Sequence, residues 1–216
     1  MKPRSSNQRN QALTLVEVLV IFVVVMFLGV CLFQALSAAH MHDKEINCIK
    51  NLNGIGAAHL LWLGDNNKLS LLGLTTDNRA GLSTRNDSAY ILWQAMSNQL
   101  KTPKILVCPA DRKSTIATSF ANGFGNTNIS YFVNSDMTQV QPQRILDGDD
   151  NLNVGGVPVQ SGVLNLSTNS RFGWTKRHYG RVGMINFADG SVMEATSNTM
   201  NSAIADSGVT NKLLIP

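Results

Sequence analysis

The sequence predicts an α+β chain, with one long N-terminal helix followed by a head built on a small antiparallel sheet. Three observations carry that expectation. From Val18 to Phe33, sixteen residues pass without a strongly polar side chain. Beyond Ala39 the apolar positions recur three and four apart, at Ile46, Ile49, Leu52, Ile55 or Gly56, Leu60 and Leu63. That is the spacing of an amphipathic helix. After Lys104 the period shortens toward two, as it does in half-buried strands.

The elements follow in order. Leu13 to Ala39 supports a helix of about 27 residues, roughly 40 Å long, which exceeds the roughly 30 Å hydrocarbon core of a bilayer. The amphipathic stretch continues that helix to Leu63, and Gly64-Asp65-Asn66-Asn67 ends it. Gly54 and Gly56 weaken it by about 1 kcal/mol each relative to Ala, so they mark either a close approach or a mild bend. Residues 64–87 are polar and turn-rich, with Asp77-Asn78 and Asn86-Asp87 as loop signals. Ser88 to Leu100 reads as a short helix capped by Asp87 or Ser88, with Ile91, Leu92, Ala95, Met96 and Leu100 on its apolar face.

Ile105 to Cys108 reads as a short buried strand stopped by Pro109, and Ile129 to Val133 as another. Val157 to Leu166 is a weaker strand in which Pro158 signals an edge. The clearest hairpin runs from Val182 to Asn186, through Ala188-Asp189-Gly190-Ser191, to Val192–Ala195. Asp-Gly favours a type I′ turn, whose two central residues both need positive φ. The Ser/Asn-rich tail from Thr196 reads as loosely held up to Leu213-Leu214-Ile215.

Charge narrows the partners. The formal net charge is +4, yet Lys2, Arg4 and Arg9 are three of the 18 basic residues. Beyond residue 12, 15 basic residues face 14 acidic ones. No basic stretch interleaved with aromatics remains, so nucleic acid is not an expected partner. The basic N-terminus reads instead as a topogenic signal that holds the cytoplasmic side during insertion. Cys31 lies within the apolar run and reads as a small hydrophobe. Cys48 and Cys108 are left to pair in an oxidising compartment, and sequence leaves the bonded and free states open.

One carboxylate, Glu17, stands at the lip of the apolar run. An ionisable group in a membrane segment costs roughly 2.5 to 3.5 kcal/mol and so points to a function. Ser37-Ala38-Ala39 could serve as the exit of a secretory signal, which would leave the amphipathic continuation unexplained. A plain anchor accommodates the continuation but not the carboxylate.

Ala12-Leu13-Thr14-Leu15-Val16-Glu17 resembles the prepilin processing site of type IV pilins and type II secretion pseudopilins. The resemblance implies a pilin-like fold, cleavage between Ala12 and Leu13 by a prepilin peptidase, and N-methylation of Leu13. It also implies that Glu17 neutralises the new amino terminus of a neighbouring subunit, since buried opposite charges are tolerable chiefly as a pair. Ala12 stands where the family usually has Gly. Cys48-Ile-Lys-Asn-Leu-Asn-Gly-Ile-Gly, Asp65-Asn66-Asn67, Val107-Cys108-Pro109-Ala110-Asp111 and Phe187-Ala188-Asp189-Gly190-Ser191-Val192 are similar to pseudopilin-like proteins of planctomycetes and verrucomicrobia. Those carry a His, nine residues and Asp-Gly near the C-terminus. Here ten residues separate His178 from Asp189 and Gly190, and His178 reads as a surface or hairpin-packing residue.

The implied organisation is a leader over residues 1–12, a transmembrane and assembly half-helix over 13–39, its amphipathic half over 40–64, and a periplasmic α+β head over 65–216. The implied function is structural: a subunit of a pseudopilus or pilus-like filament in type II protein secretion, anchored in inner-membrane lipid and partnered by other pilin subunits. Two rivals are a membrane-anchored periplasmic binding module that does not polymerise, and a secreted protein with an ordinary signal peptide. Asp147, Asp149 and Asn151 mimic the start of a calcium loop, as in the calcium-binding major pseudopilins. An EF-hand would need Gly and Glu where Leu152 and Pro158 stand, so a solvated turn is the expectation there. No Gly-x-Ser-x-Gly elbow or phosphate loop points to an enzyme.

Overall fold

The long apolar run and its amphipathic continuation form one helix, α1, Leu15–Asp65. This and all that follows come from a computed structural model that describes residues 14–66, 88–135, 141–167, 170–178, 180–206 and 211–216. Ala12, Leu13 and the loop signals at 77–78 and 86–87 lie outside them. The chain divides into two compact units, Met1–His42 and Asp43–Pro216.

In the first unit, Leu15–Gln34 is long and apolar enough to cross a membrane, and none of that window is buried within the chain. Leu15 is 81% exposed and Phe33 75%. Its 20 residues span about 30 Å, the thickness of a bilayer's hydrocarbon core. Val-rich sequence is a poor helix former in water, but in lipid each backbone group must be paired within the segment, which a helix achieves.

The second unit is α+β. α2, Ala89–Ala95, and α3, Ser97–Leu100, occupy the predicted single helix, broken at Met96. Ser88 is the N-cap residue, though its side chain makes no capping bond. Trp93 is fully buried, whereas Ile91 is only half-buried, so the buried stripe is rotated from the expected one. The Ile105–Cys108 strand does not form. Pro103–Leu106 is a 3₁₀ turn, because Pro103 pre-sets its first position and Thr102 caps the Lys104 amide.

Nine strands follow: β1 Tyr131–Asn134, β2 Ile145–Asp149, β3 Leu152–Val154, β4 Val157–Pro158, β5 Gly162–Leu166, β6 Phe172–Trp174, β7 Gly183–Phe187, β8 Val192–Ala195 and β9 Asn211–Ile215. Six make one sheet in the order β5-β9-β1-β2-β7-β8, and every neighbouring pair is antiparallel. A smaller sheet has the order β4-β3-β6, with Pro158 on its edge strand.

The large sheet is buried on both faces. Tyr131, Val133, Leu146 and Met184 join Leu52, Ile55 and Trp62 of α1 and Trp93 of α2 in one core. Phe132, Ile145 and Ile185 join the small sheet and a fourth helix, α4 Ser197–Asp206, in another. The tail is therefore not loose. Met200, Ala203 and Ile204 bury one face of α4, and Thr196 caps it by accepting from the Thr199 amide. β9 then lies between β5 and β1, in the interior of the sheet.

Candidate functional site

Two groups of residues bear on function, one at each end of the argument from sequence. At the start of α1, Thr14 and Glu17 form a capping box. The Thr14 amide and hydroxyl donate to Glu17 Oε2 at 2.8 and 2.9 Å, and the Glu17 amide donates to Thr14 Oγ1 at 3.3 Å. Thr-x-x-Glu has that spacing because one helical turn brings the two side chains over each other's amides. The carboxylate thus satisfies donors that a helix start leaves open.

The second group lies within the second unit. Asp147-Gly148-Asp149 is not a solvated turn but the buried end of β2. The strand alternation explains the pattern. Gly148 pairs with Phe132, and a Cβ there would press into the Phe132 ring and the Met184 carbonyl. The aspartates on either side are turned toward α1, opposite Tyr131 and Val133. Asp147 meets His59 Nδ1 at 3.4 Å and accepts from Asn186 Nδ2 at 3.0 Å. Gly56 is the reason Asn186 fits, since a Cβ at that position would collide with the Asn186 carboxamide. Gly54 has open space around it. Burial pushes the Asp147 carboxyl up, against the opposing effect of His59 and Asn186.

Asp149 accepts from the Met184 amide at 2.7 Å and faces His178 Nδ1 at 3.3 Å. His178, expected at the surface, is buried. Its Nε2 lies 3.7 Å from Asp111 and 3.6 Å from Asp150. The cause is that β1, β2 and the 176–178 turn converge on the segment after Cys108. Asp111 is fixed by Ser114 at 2.7 Å, Ser130 at 2.9 Å and the Lys113 amide at 2.9 Å. Arg177 bonds Asp150 and lies 3.3 Å from Asp111.

Burial raises the cost of ionising Asp111, yet the His178, Lys113-amide and Ser114 bonds and the Arg177 charge outweigh it and hold the carboxyl well below its usual range. For His178, burial works against protonation, and Asp111 and Asp149 at its two nitrogens overcome that and push its pKa up. Tyr131 beside them is pushed well above its usual value, by burial first and then by Asp149.

Cys48 of α1 and Cys108 form a disulfide with a Cα separation of 5.1 Å. It closes a 60-residue separation, which corresponds to about 4 kcal/mol in the chain-entropy account. Replacing both cysteines by Ala is expected to lower unfolding stability by about 2–5 kcal/mol, read by urea denaturation of the detergent-solubilised chain.

The geometry brings Cys108, Asp149 and His178 within 4.8 Å, and likewise Asp111, Asp150 and His178. Neither set fits a metal. In the first the sulfur is committed to the disulfide, and in the second the Arg177 guanidinium already lies against both carboxylates. Asn151 joins neither set; its amide donates to the Thr175 and Val182 carbonyls. Asp147, Asp149 and Asn151 therefore each have separate partners instead of forming the expected solvated turn.

Asp189 and Gly190 sit at the tip of the β7–β8 hairpin. The Gly190 amide returns to the Phe187 carbonyl at 2.9 Å, and Gly190 has φ +84° while Asp189 does not have positive φ. One left-handed residue after an i to i+3 turn replaces the expected type I′ turn. Asp189 accepts from the Ser191 hydroxyl and amide, which lower its pKa.

His59, Asp111, Asp150 and Arg177 were not singled out from sequence. His59 had a signal, because it lies four residues after Ile55 on the apolar stripe of α1. Asp111 stood only as the last residue of the Val107–Asp111 motif, with no partner indicated, and only the fold brings Arg177 to it. Comparisons with protein-family models, with curated proteins and with solved structures find no match.

Proposed function

We propose that the chain is a pilin-like structural subunit, matured by a prepilin peptidase and assembled with its own kind or related subunits into a pseudopilus or pilus-like filament. The N-terminus would be cytoplasmic and the second unit periplasmic, in a bacterial inner membrane, and type II protein secretion is the associated process. The observation that carries the reading is the combination at the start of α1. The membrane-length apolar window Leu15–Gln34 packs none of its residues inside the chain, and the one carboxylate in that window, Glu17, lies in the first turn of α1. Such a surface needs lipid or neighbouring helices. A disulfide in the second unit agrees with an oxidising compartment.

The non-polymerising anchor is favoured by one observation, the capping box, which gives Glu17 a partner inside its own chain. The reading is tested by mass spectrometry of the mature N-terminus. A chain beginning at N-methylated Leu13 is the expected result. A start at His40 would make the segment a signal peptide and overturn the proposal, and an intact Met1 would exclude prepilin processing.

A further inference from the structure

We infer that the concavity beside the small sheet is a binding site for an acidic oligosaccharide bearing sulfate or carboxylate groups. This does not depend on whether the chain polymerises. The concavity has a volume of about 620 Å³ and, among the described residues, is lined by Arg171, Lys176 and Arg181 and by no acidic residue. All three cations are exposed, and none forms an ion pair among the described residues. In the same unit Arg177, by contrast, is bound by two carboxylates.

The floor is polar and offers donors. β3 and β6 pair with Asn153 opposite Gly173, and a Cβ on Gly173 would meet Ser197 Oγ at 3.0 Å and the Asn153 amide group at 3.1 Å. The glycine therefore lets both side chains lie across the strand. Asn153 Oδ1 is taken by the Gly156 amide at 3.2 Å, which leaves its NH₂ to face a ligand. Cations and donors without an opposing acid select an oxyanion.

Size and shape select among oxyanions. The volume falls in the roughly 300–1,000 Å³ range of sites that enclose a molecule of several rings, far more than one sulfate or phosphate needs. The nearby aromatics, Phe172 and Trp174, are each 3% exposed. They give no platform for stacked bases, on which single-stranded nucleic acid depends. A hydroxyl-rich chain carrying several anionic groups satisfies both the charge and the donors.

The test is calorimetric titration of the full chain in detergent micelles with a heparin-derived sulfated tetrasaccharide. Maltotetraose serves as the neutral probe and a thymidine tetranucleotide as the other polyanion. The sulfated tetrasaccharide is expected to bind, more weakly as salt is raised, and maltotetraose not to bind. Arg171→Ala and Arg181→Ala should each weaken it about fivefold, the double variant should lose it, and Lys104→Ala should leave it unchanged. These are exposed side chains, and circular dichroism verifies that the variants remain folded. Absence of binding, binding indifferent to Arg171 and Arg181, or equal affinity for the tetranucleotide would each overturn the proposal.

Discussion

Glu17→Gln is expected to leave membrane insertion intact and to reduce filament assembly by at least about tenfold, if the carboxylate pairs with a neighbouring subunit's amino terminus. The substitution is chosen because Glu17 has two candidate roles. Its Oε2 accepts from the Thr14 amide and hydroxyl, and a Gln carbonyl oxygen can accept the same bonds without charge. Thr14→Val is the reciprocal variant, which removes the hydroxyl contacts and keeps the charge. Loss of assembly in Glu17→Gln with retention in Thr14→Val assigns the charge to the intermolecular pair. Assembly unchanged in Glu17→Gln would reduce Glu17 to a helix cap and favour the anchor that does not polymerise. Sedimentation of filaments reads assembly, and protease accessibility of the second unit in sealed vesicles reads insertion.

The second large effect is expected at Arg177. Arg177→Leu leaves Asp111 and Asp150 facing each other without the guanidinium that now touches both, and is expected to cost about 3 kcal/mol. Adding Asp150→Asn should recover part of that loss, a coupling that a packing role for the Arg177 stem would not produce. His178 gives the same network a pH signature. Its pKa is raised above 6.5, so its contribution is full below that value and is lost as pH rises through the higher folded value. The Asp111 pKa is lowered below 3.8, so its contribution is present above that value and is lost as pH falls through the folded one. The stability difference between the native chain and His178→Gln should therefore be greatest between these two ordinary values and should shrink above pH 6.5. A difference that is flat with pH would mean that His178 is held only by packing.

The local elements were legible where one rule dominated. The apolar run and its amphipathic continuation specify a helix to within two residues at either end, because periodicity and solvent agree there. The β7–β8 hairpin was legible from Asp189-Gly190, although its turn type was not. Both turns use a left-handed glycine, and the φ of Asp189, which is not positive here, distinguishes them. The errors have a common origin. Ile105–Cys108 looks like a strand by composition, but the Pro103 ring and the Thr102 cap decide otherwise. The Ser/Asn-rich tail looks unstructured, yet three apolar residues spaced three and one apart suffice for α4 once the sheet offers them a surface.

The Asp147-Gly148-Asp149 segment shows the division most plainly. By composition it is a turn, since aspartate and glycine are depleted in strands. In the fold it is a central strand, because His59, Asn186, the Met184 amide and His178 pair the carboxylates and Phe132 occupies the space that Gly148 leaves. By itself the sequence determined what depends on residues within a few turns of each other: the membrane-length helix, the Thr14–Glu17 spacing, the amphipathic face and the hairpin. Only the tertiary structure decided which charges share a buried cluster, that Cys48 meets Cys108, and that three cations surround one concavity. The first two depend on residues distant along the chain, and the third on the path that β6 and the turn after it take between Arg171 and Arg181; no local preference encodes those distances.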